Sequence, residues 1–239
     1  MTIIDQTFAW LTDPAHWSGP NGIPARLFEH IGLSAASLAI ALVIALPVGL
    51  YIGHTRRGVA IAVGAANLWR SLPSLAVIAI VLPITAAIDP RAGFLVYPTV
   101  VAMIVLALPP ILVNAYSGIT GVDADLTEAA RGQGLSERQV LTDVELPLAV
   151  PVIVTGIRSA AVQVVATATL GAVFGFGGLG RFIVDGIAQF SLGGSARMLG
   201  GVVLVGGLVL LVDLGFAILQ GVLTPRGVRV DRSVAPNSA

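Results

Sequence analysis

Five stretches of this chain each run for about 20 mostly apolar residues, the length at which a helix crosses a bilayer while satisfying its own backbone hydrogen bonds. They lie at about 31–52, within 59–88, and at about 98–117, 149–174 and 198–222. None alternates with strand periodicity, so the chain reads as all-α and a transmembrane barrel is excluded. Hydrophobic residues fill 56% of the 239 positions and charged residues only 11%, which places the protein in a membrane. With a net charge of zero there is no basic surface to hold nucleic acid. Cysteine is absent, so disulfides, thiolate metal sites and cysteine nucleophiles are excluded.

Within 59–88 the stretch "RSLPS" carries a break, because Pro73 has no amide donor and disfavours helix at the residue before it. The expectation is a short interfacial helix followed by a span. The opening 30 residues lack a basic n-region and a cleavage site and are expected to stay on the mature protein. Phe8, Trp10 and Trp17 among polar neighbours read as a segment lying at the membrane interface. With the amino terminus outside, the inner flanks carry Arg56, Arg57, Arg131, Arg138, Arg226, Arg229 and Arg232. The outer flanks carry only Arg26, Arg91, Arg181 and Arg197, which is the order the positive-inside rule favours. The carboxyl terminus then lies inside. The chain divides into an outer segment 1–30, one transmembrane domain 31–223 with a cytoplasmic segment 123–147, and a cytoplasmic tail 224–239.

That cytoplasmic segment, "DADLTEAARGQGLSERQVLTDVELP", is the one long charged stretch between apolar ones. Asp125 with Glu128, and Ser136 with Gln139, each have capping-box spacing and mark two helix starts. Gly132 and Gly134 end the first helix and permit a sharp turn, and Pro147 is expected to end the second. Capping alone is equally compatible with an ordinary solvated loop.

Glu128, Ala129 and Ala130, then Gly134 after three residues, then Val144, Glu145, Leu146 and Pro147 after nine more, resemble the EAA motif of ABC importer permeases. Val144 stands where that family usually has Ile. "SLPSLAVIAIVLP", "PPILVNAYSGITGVD", "VELPLAVPVIVTGIRSA" and "GFGGLG" extend the resemblance over about 31–223, towards permeases of glycine betaine, choline and carnitine importers.

The resemblance implies a type I importer permease fold of the MetI-like kind, with a cytoplasmic coupling helix. It implies that Glu128, Ala129, Ala130, Arg131, Gly132, Gly134, Leu135, Ser136 and Arg138 dock an ABC ATPase. Small residues at Ala129, Ala130 and Gly134 would let that partner approach closely. Arg70, Ser71, Pro73, Gly177, Gly178 and Gly180 become pathway or gate candidates. Further implied partners are a second permease, paralogous or identical, an extracytoplasmic solute-binding protein and membrane lipid. No cofactor is implied. ATP hydrolysis belongs to a separate subunit, so the chain itself is not an enzyme.

"GFGGLG" also satisfies GxGxxG, but a dinucleotide site needs a preceding strand and a βαβ unit. Here it follows a span and reads as a tight outer turn. His16, His30 and His54 are scattered and read as interfacial, with no metal-ligand spacing to any carboxylate. Arg158 and Asp213 lie inside spans, where ionisable groups are functional candidates, and the plainer reading is that they face protein and satisfy one another or a backbone group, or that Arg158 snorkels to the interface. Glycines 200, 201, 206 and 207 and the small residues around Gly156 suit close helix packing. An importer permease for methionine or another amino acid stays open, as does a carrier driven by an ion gradient.

Overall fold

The computed structural model describes residues 2–224, without the side chains of Ala65, Asn67, Arg70 and Ser71. Arg226, Arg229 and Arg232, counted above for orientation, lie outside the described residues. Among the described residues every regular element is helical.

The chain opens with α1 (Ile3–Thr12), started by a capping box in which Thr2 and Asp5 satisfy each other's amides. A 3-10 turn, Pro14–Trp17, leads to α2 (Ile23–Thr55). That helix begins at Ile23 rather than near Ile31, because Pro24 suits its first turn and Arg26, Glu29 and His30 all find protein partners. The first long helix thus includes residues that hydropathy assigns to the outer segment. Arg56, in the left-handed region at φ 58, ends it.

The break at Pro73 is present. It separates α3 (Val59–Ser71) from α4 (Ser74–Ile88), with Leu72 and Pro73 extended between them. The 15 residues of α4 rise about 22 Å, short of the roughly 30 Å hydrocarbon core. Among the described residues four helical runs, rather than the five expected, are therefore long and apolar enough to cross a membrane: Ile23–Thr55, Tyr97–Thr120, Glu137–Phe174 and Ser195–Leu223. The protein is a multi-pass membrane protein.

After α5 (Ala92–Leu95) and α6 (Tyr97–Thr120), the charged segment forms α7 (Ala124–Gly132). Then α8 (Glu137–Gln139), a π-helical turn Val140–Glu145, α9 (Leu146–Ala168) and a 3-10 turn Thr169–Phe174 follow without a gap. Finally α10 (Gly180–Ala188) and the 3-10 turn Phe190–Leu192 lead into α11 (Ser195–Leu223).

The core is the junction of α2, α6 and α9, filled by Ala41 and Ala45, Met103, Ala107 and Ile111, and Ala160, Val164 and Ala168. Small residues let these axes approach. A Cβ on Gly156 would come within 2.5 Å of Asn114 Cβ and 2.6 Å of the Pro110 carbonyl, and one on Gly49 within 2.7 Å of Ala115 Cβ. On α11 the glycines divide: Gly200 lies against Trp10 and Gly201 against Phe182 and Ile183, whereas Gly206 and Gly207 face open space.

Candidate functional site

The charged segment is built by local chemistry. The cap of α7 is Asp123, not the expected Asp125: its carboxylate accepts the Asp125 amide at 3.0 Å. Asp123 holds it because its own backbone is extended, with ψ 129, while Asp125 is already helical. At the other end, Gly134 N–H donates to Arg131 O and Leu135 N–H to Ala130 O, a Schellman arrangement with Gly134 at φ 89. Gly134 is thus the glycine the turn requires, while Gly132 remains helical. The Ser136–Gln139 capping box is present and starts α8.

Pro147 does not end the second helix. Leu146 N–H bonds five residues back to Leu141 O, and this widened turn relieves the clash a proline ring makes with the carbonyl four back. The segment is therefore one short helix, a turn, and then the foot of a spanning helix.

Glu128, Ala129, Arg131, Gly132, Gly134, Ser136 and Arg138 are exposed on this segment, with Leu135 half-buried. Ala130 is turned inward, at 7% exposure, so it offers no surface to a partner. Arg131 donates from Nε and Nη2 to the two oxygens of Glu137, at 2.9 and 3.1 Å. Hydrogen bonding to that carboxylate raises the Arg131 guanidinium above its ordinary value.

At the opposite end of α9, Gly175 and Gly178 have φ 89 and 74, the conformations that fold "GFGGLG" back on itself. The Gly178 amide donates to Glu29 Oε2 at 2.8 Å. His30 Nε2 faces Val165 O at 2.9 Å, and His30 Nδ1 accepts the Leu179 amide at 3.3 Å. A carbonyl on one side and an N–H on the other set the tautomer, with the proton on Nε2. Gly177 lies against the side-chain ends of Glu29 and Arg26, and Gly180 against the Thr169 backbone, where there is no room for a side chain.

Pro73 lies at the start of α4 and, among the described residues, no hydrogen bond or ion pair joins it to this turn. The side chains of Arg70 and Ser71 lie outside the described residues. Arg158 and Asp213 do meet, joining α9 to α11.

Sequence reasoning passes over three groups here. His30, read as interfacial, is wholly buried; His54, read the same way, pairs with the buried Glu145; and Glu29 reaches across to the glycine turn. The only local signal for the first is its place inside α2, visible once Pro24 is taken as that helix's first turn.

The family profile of binding-protein-dependent transport system inner membrane components matches residues 34–228. The chain belongs to this family. Among its relatives, this inner membrane component is 35% identical over 220 residues to the osmoprotectant import permease protein OsmW of Salmonella typhimurium, covering 91% of this chain and all of that protein. It is 33% identical to the choline transport system permease protein OpuBB of Bacillus subtilis, covering 85% of this chain and 89% of the relative. It is also 33% identical to the carnitine transport permease protein OpuCB of Listeria monocytogenes, at 87% and 90% coverage. Among solved structures, a chain of the inward-facing MetNI methionine ABC transporter superposes on this inner membrane component with a TM-score of 0.74. The two are 25% identical, and the match covers 90% of this chain and 100% of that one. The fold is that of a MetI-type ABC importer permease.

Proposed function

We propose that this chain is the membrane-spanning subunit of an ATP-driven importer for a small compatible solute such as glycine betaine, choline or carnitine. The observation that carries the reading is the similarity, over most of both chains, to permeases named for choline, carnitine and osmoprotectants. An amino-acid importer has weaker support, the 25% identity to a methionine transporter chain against 33 to 35% to these relatives. The chain has no Walker A sequence, so hydrolysis falls to separate ABC ATPase subunits.

Those ATPases dock on the exposed residues of the charged segment, from Glu128 to Arg138 without Ala130. Closure of the ATPase pair draws two such segments together and rocks the spans between inward-open and outward-open states. A second permease completes the pathway, and a paralogue fits better than an identical copy. An extracytoplasmic binding protein delivers solute near the Gly177–Gly180 turn, with the amino terminus outside and the carboxyl terminus in the cytoplasm. The chain divides functionally into the outer segment, one permease domain with its coupling segment, and a tail.

Affinity purification of the chain from its native membrane in mild detergent, followed by mass spectrometry, tests this. An ATPase and one further permease are the expected companions. A chain that comes out without an ATPase, under conditions that preserve a control importer, overturns the reading in favour of a gradient-driven carrier. In the reconstituted complex, Gly134→Trp is expected to abolish solute-stimulated ATP hydrolysis while the spans stay inserted.

A further inference from the structure

The foot of α2 and the charged segment are tied together by a run of polar side chains whose pairing no sequence motif announces. Arg131 on α7 holds Glu137 at the first position of α8 with two hydrogen bonds. Glu137 Oε2 lies 3.3 Å from His54 Nε2, and His54 sits in the last turn of α2. His54 Nδ1 in turn lies 2.6 Å from Glu145 Oε2. Glu145 closes the π-helical turn and is only 4% exposed. Beside this run, Arg56 Nη2 donates to Thr120 O at 3.3 Å, linking the end of α2 to the end of α6.

A carboxylate buried to this degree needs a hydrogen-bonding partner, and among the described residues His54 is the side chain that supplies it. The place it braces is the π-helical run through which α8 continues into α9. A π turn departs from the regular i→i+4 ladder and marks a point where a helix bends. Left unbraced, a push on α7 would flex Val140–Glu145 and dissipate before reaching α9. Pinned through Glu145 to His54, the same push turns α9 and α2 as one body, the rigid behaviour that transmission needs.

We propose that His54 is a positioning residue for energy coupling: by holding Glu145 it stiffens the π turn between the docking segment and α9. This inference rests on the docking of an ATPase at the charged segment. The test uses the complete transporter in proteoliposomes, with glycine betaine, choline or carnitine, whichever drives the wild-type complex, as the transported probe. The readout is solute moved per ATP hydrolysed, beside the subunit ratio of the purified complex.

His54→Ala is expected to keep the ATPase bound and hydrolysing while solute per ATP falls about fivefold or more. His54→Asn places an N–H where Nδ1 was and is expected to recover coupling. His54→Gln reaches instead towards Glu137 and is expected not to. Should His54→Ala fail to insert, Glu145→Ala removes the buried carboxylate from the other side of the same contact, leaving His54 in place, and carries the same expectation of uncoupling. Unchanged solute per ATP in the inserted variant, or His54→Asn performing no better than His54→Ala, overturns the inference. A wild-type complex that lacks an ATPase overturns the docking reading and this inference with it.

Discussion

Arg158 on α9 grips Asp213 on α11 with both prongs of its guanidinium, Nε to Oδ1 and Nη2 to Oδ2, each at 2.5 Å. The bidentate geometry fixes how the two spans face each other, since a guanidinium fork matches a carboxylate in one orientation. Within a membrane, an ion left without its counterpart is expensive. Reversing either charge alone, as Arg158→Asp or Asp213→Arg, is expected to cut the yield of membrane-inserted protein. The double reversal is expected to restore most of it, and quantitative blotting of membrane fractions checks this. Asp213→Asn, which keeps an acceptor for the fork, is expected to transport with an unchanged pH profile, because among the described residues no further carboxylate or histidine bonds to the pair.

The two glycines of the charged segment make opposite predictions. Gly134→Ala puts a side chain at φ 89, which costs about 1–2 kcal/mol from backbone strain alone. Gly132→Ala, in helical conformation with open space around it, is expected to be neutral or mildly stabilising. Thermal unfolding of the purified variants distinguishes them, and equal melting temperatures would show that the turn is not under the stated constraint.

At the other end of α9, a methyl group on Gly177 would collide with the Glu29 carboxylate and the Arg26 guanidinium. Gly177→Ala is therefore expected to push these two flexible side-chain ends aside and break the Glu29 bond to the Gly178 amide, a loss of about 1 kcal/mol, the order of one hydrogen bond. Hydrogen exchange at the Gly178 and Leu179 amides is the direct measurement. Faster exchange there, with the amides of α6 unchanged, is the expected pattern.

Close packing in the core predicts a further contrast. Gly156→Val forces α9 away from Asn114 and Pro110 and should cost about 1–3 kcal/mol or more. Gly206→Ala meets nothing within 4 Å, so a change within about 0.5 kcal/mol is expected for the isolated chain. Comparing melting temperatures of the isolated chain and the full complex for both variants separates internal packing from contact with a neighbouring subunit.

Much of this fold was legible in one dimension because its causes are local. Apolar run length located all four long helices, the missing amide of Pro73 located the break before α4, and Ser136 with Gln139 located the start of α8. Of the ways sequence left open for Arg158 and Asp213 to be satisfied, the structure shows the mutual pair, the form in which an intramembrane ion meets its opposite. The spacing from Glu128 through Pro147 carried the family resemblance.

Other features depended on neighbours that are distant in sequence. Whether Pro147 stops a helix depends on the hydrogen-bond register upstream of it, and the π turn changes that register. Ala130 faces inward rather than outward because the packed bundle fixes which side of a nine-residue helix is covered. His30 and His54 look alike as residues near membrane ends. Their partners, Val165 and Leu179 for one and Glu145 for the other, lie 135, 149 and 91 residues away. Hydropathy and capping chemistry act over a few residues and so determined the elements. The pairing of buried polar groups is settled only when those elements pack and water is excluded, and that step decided the sites.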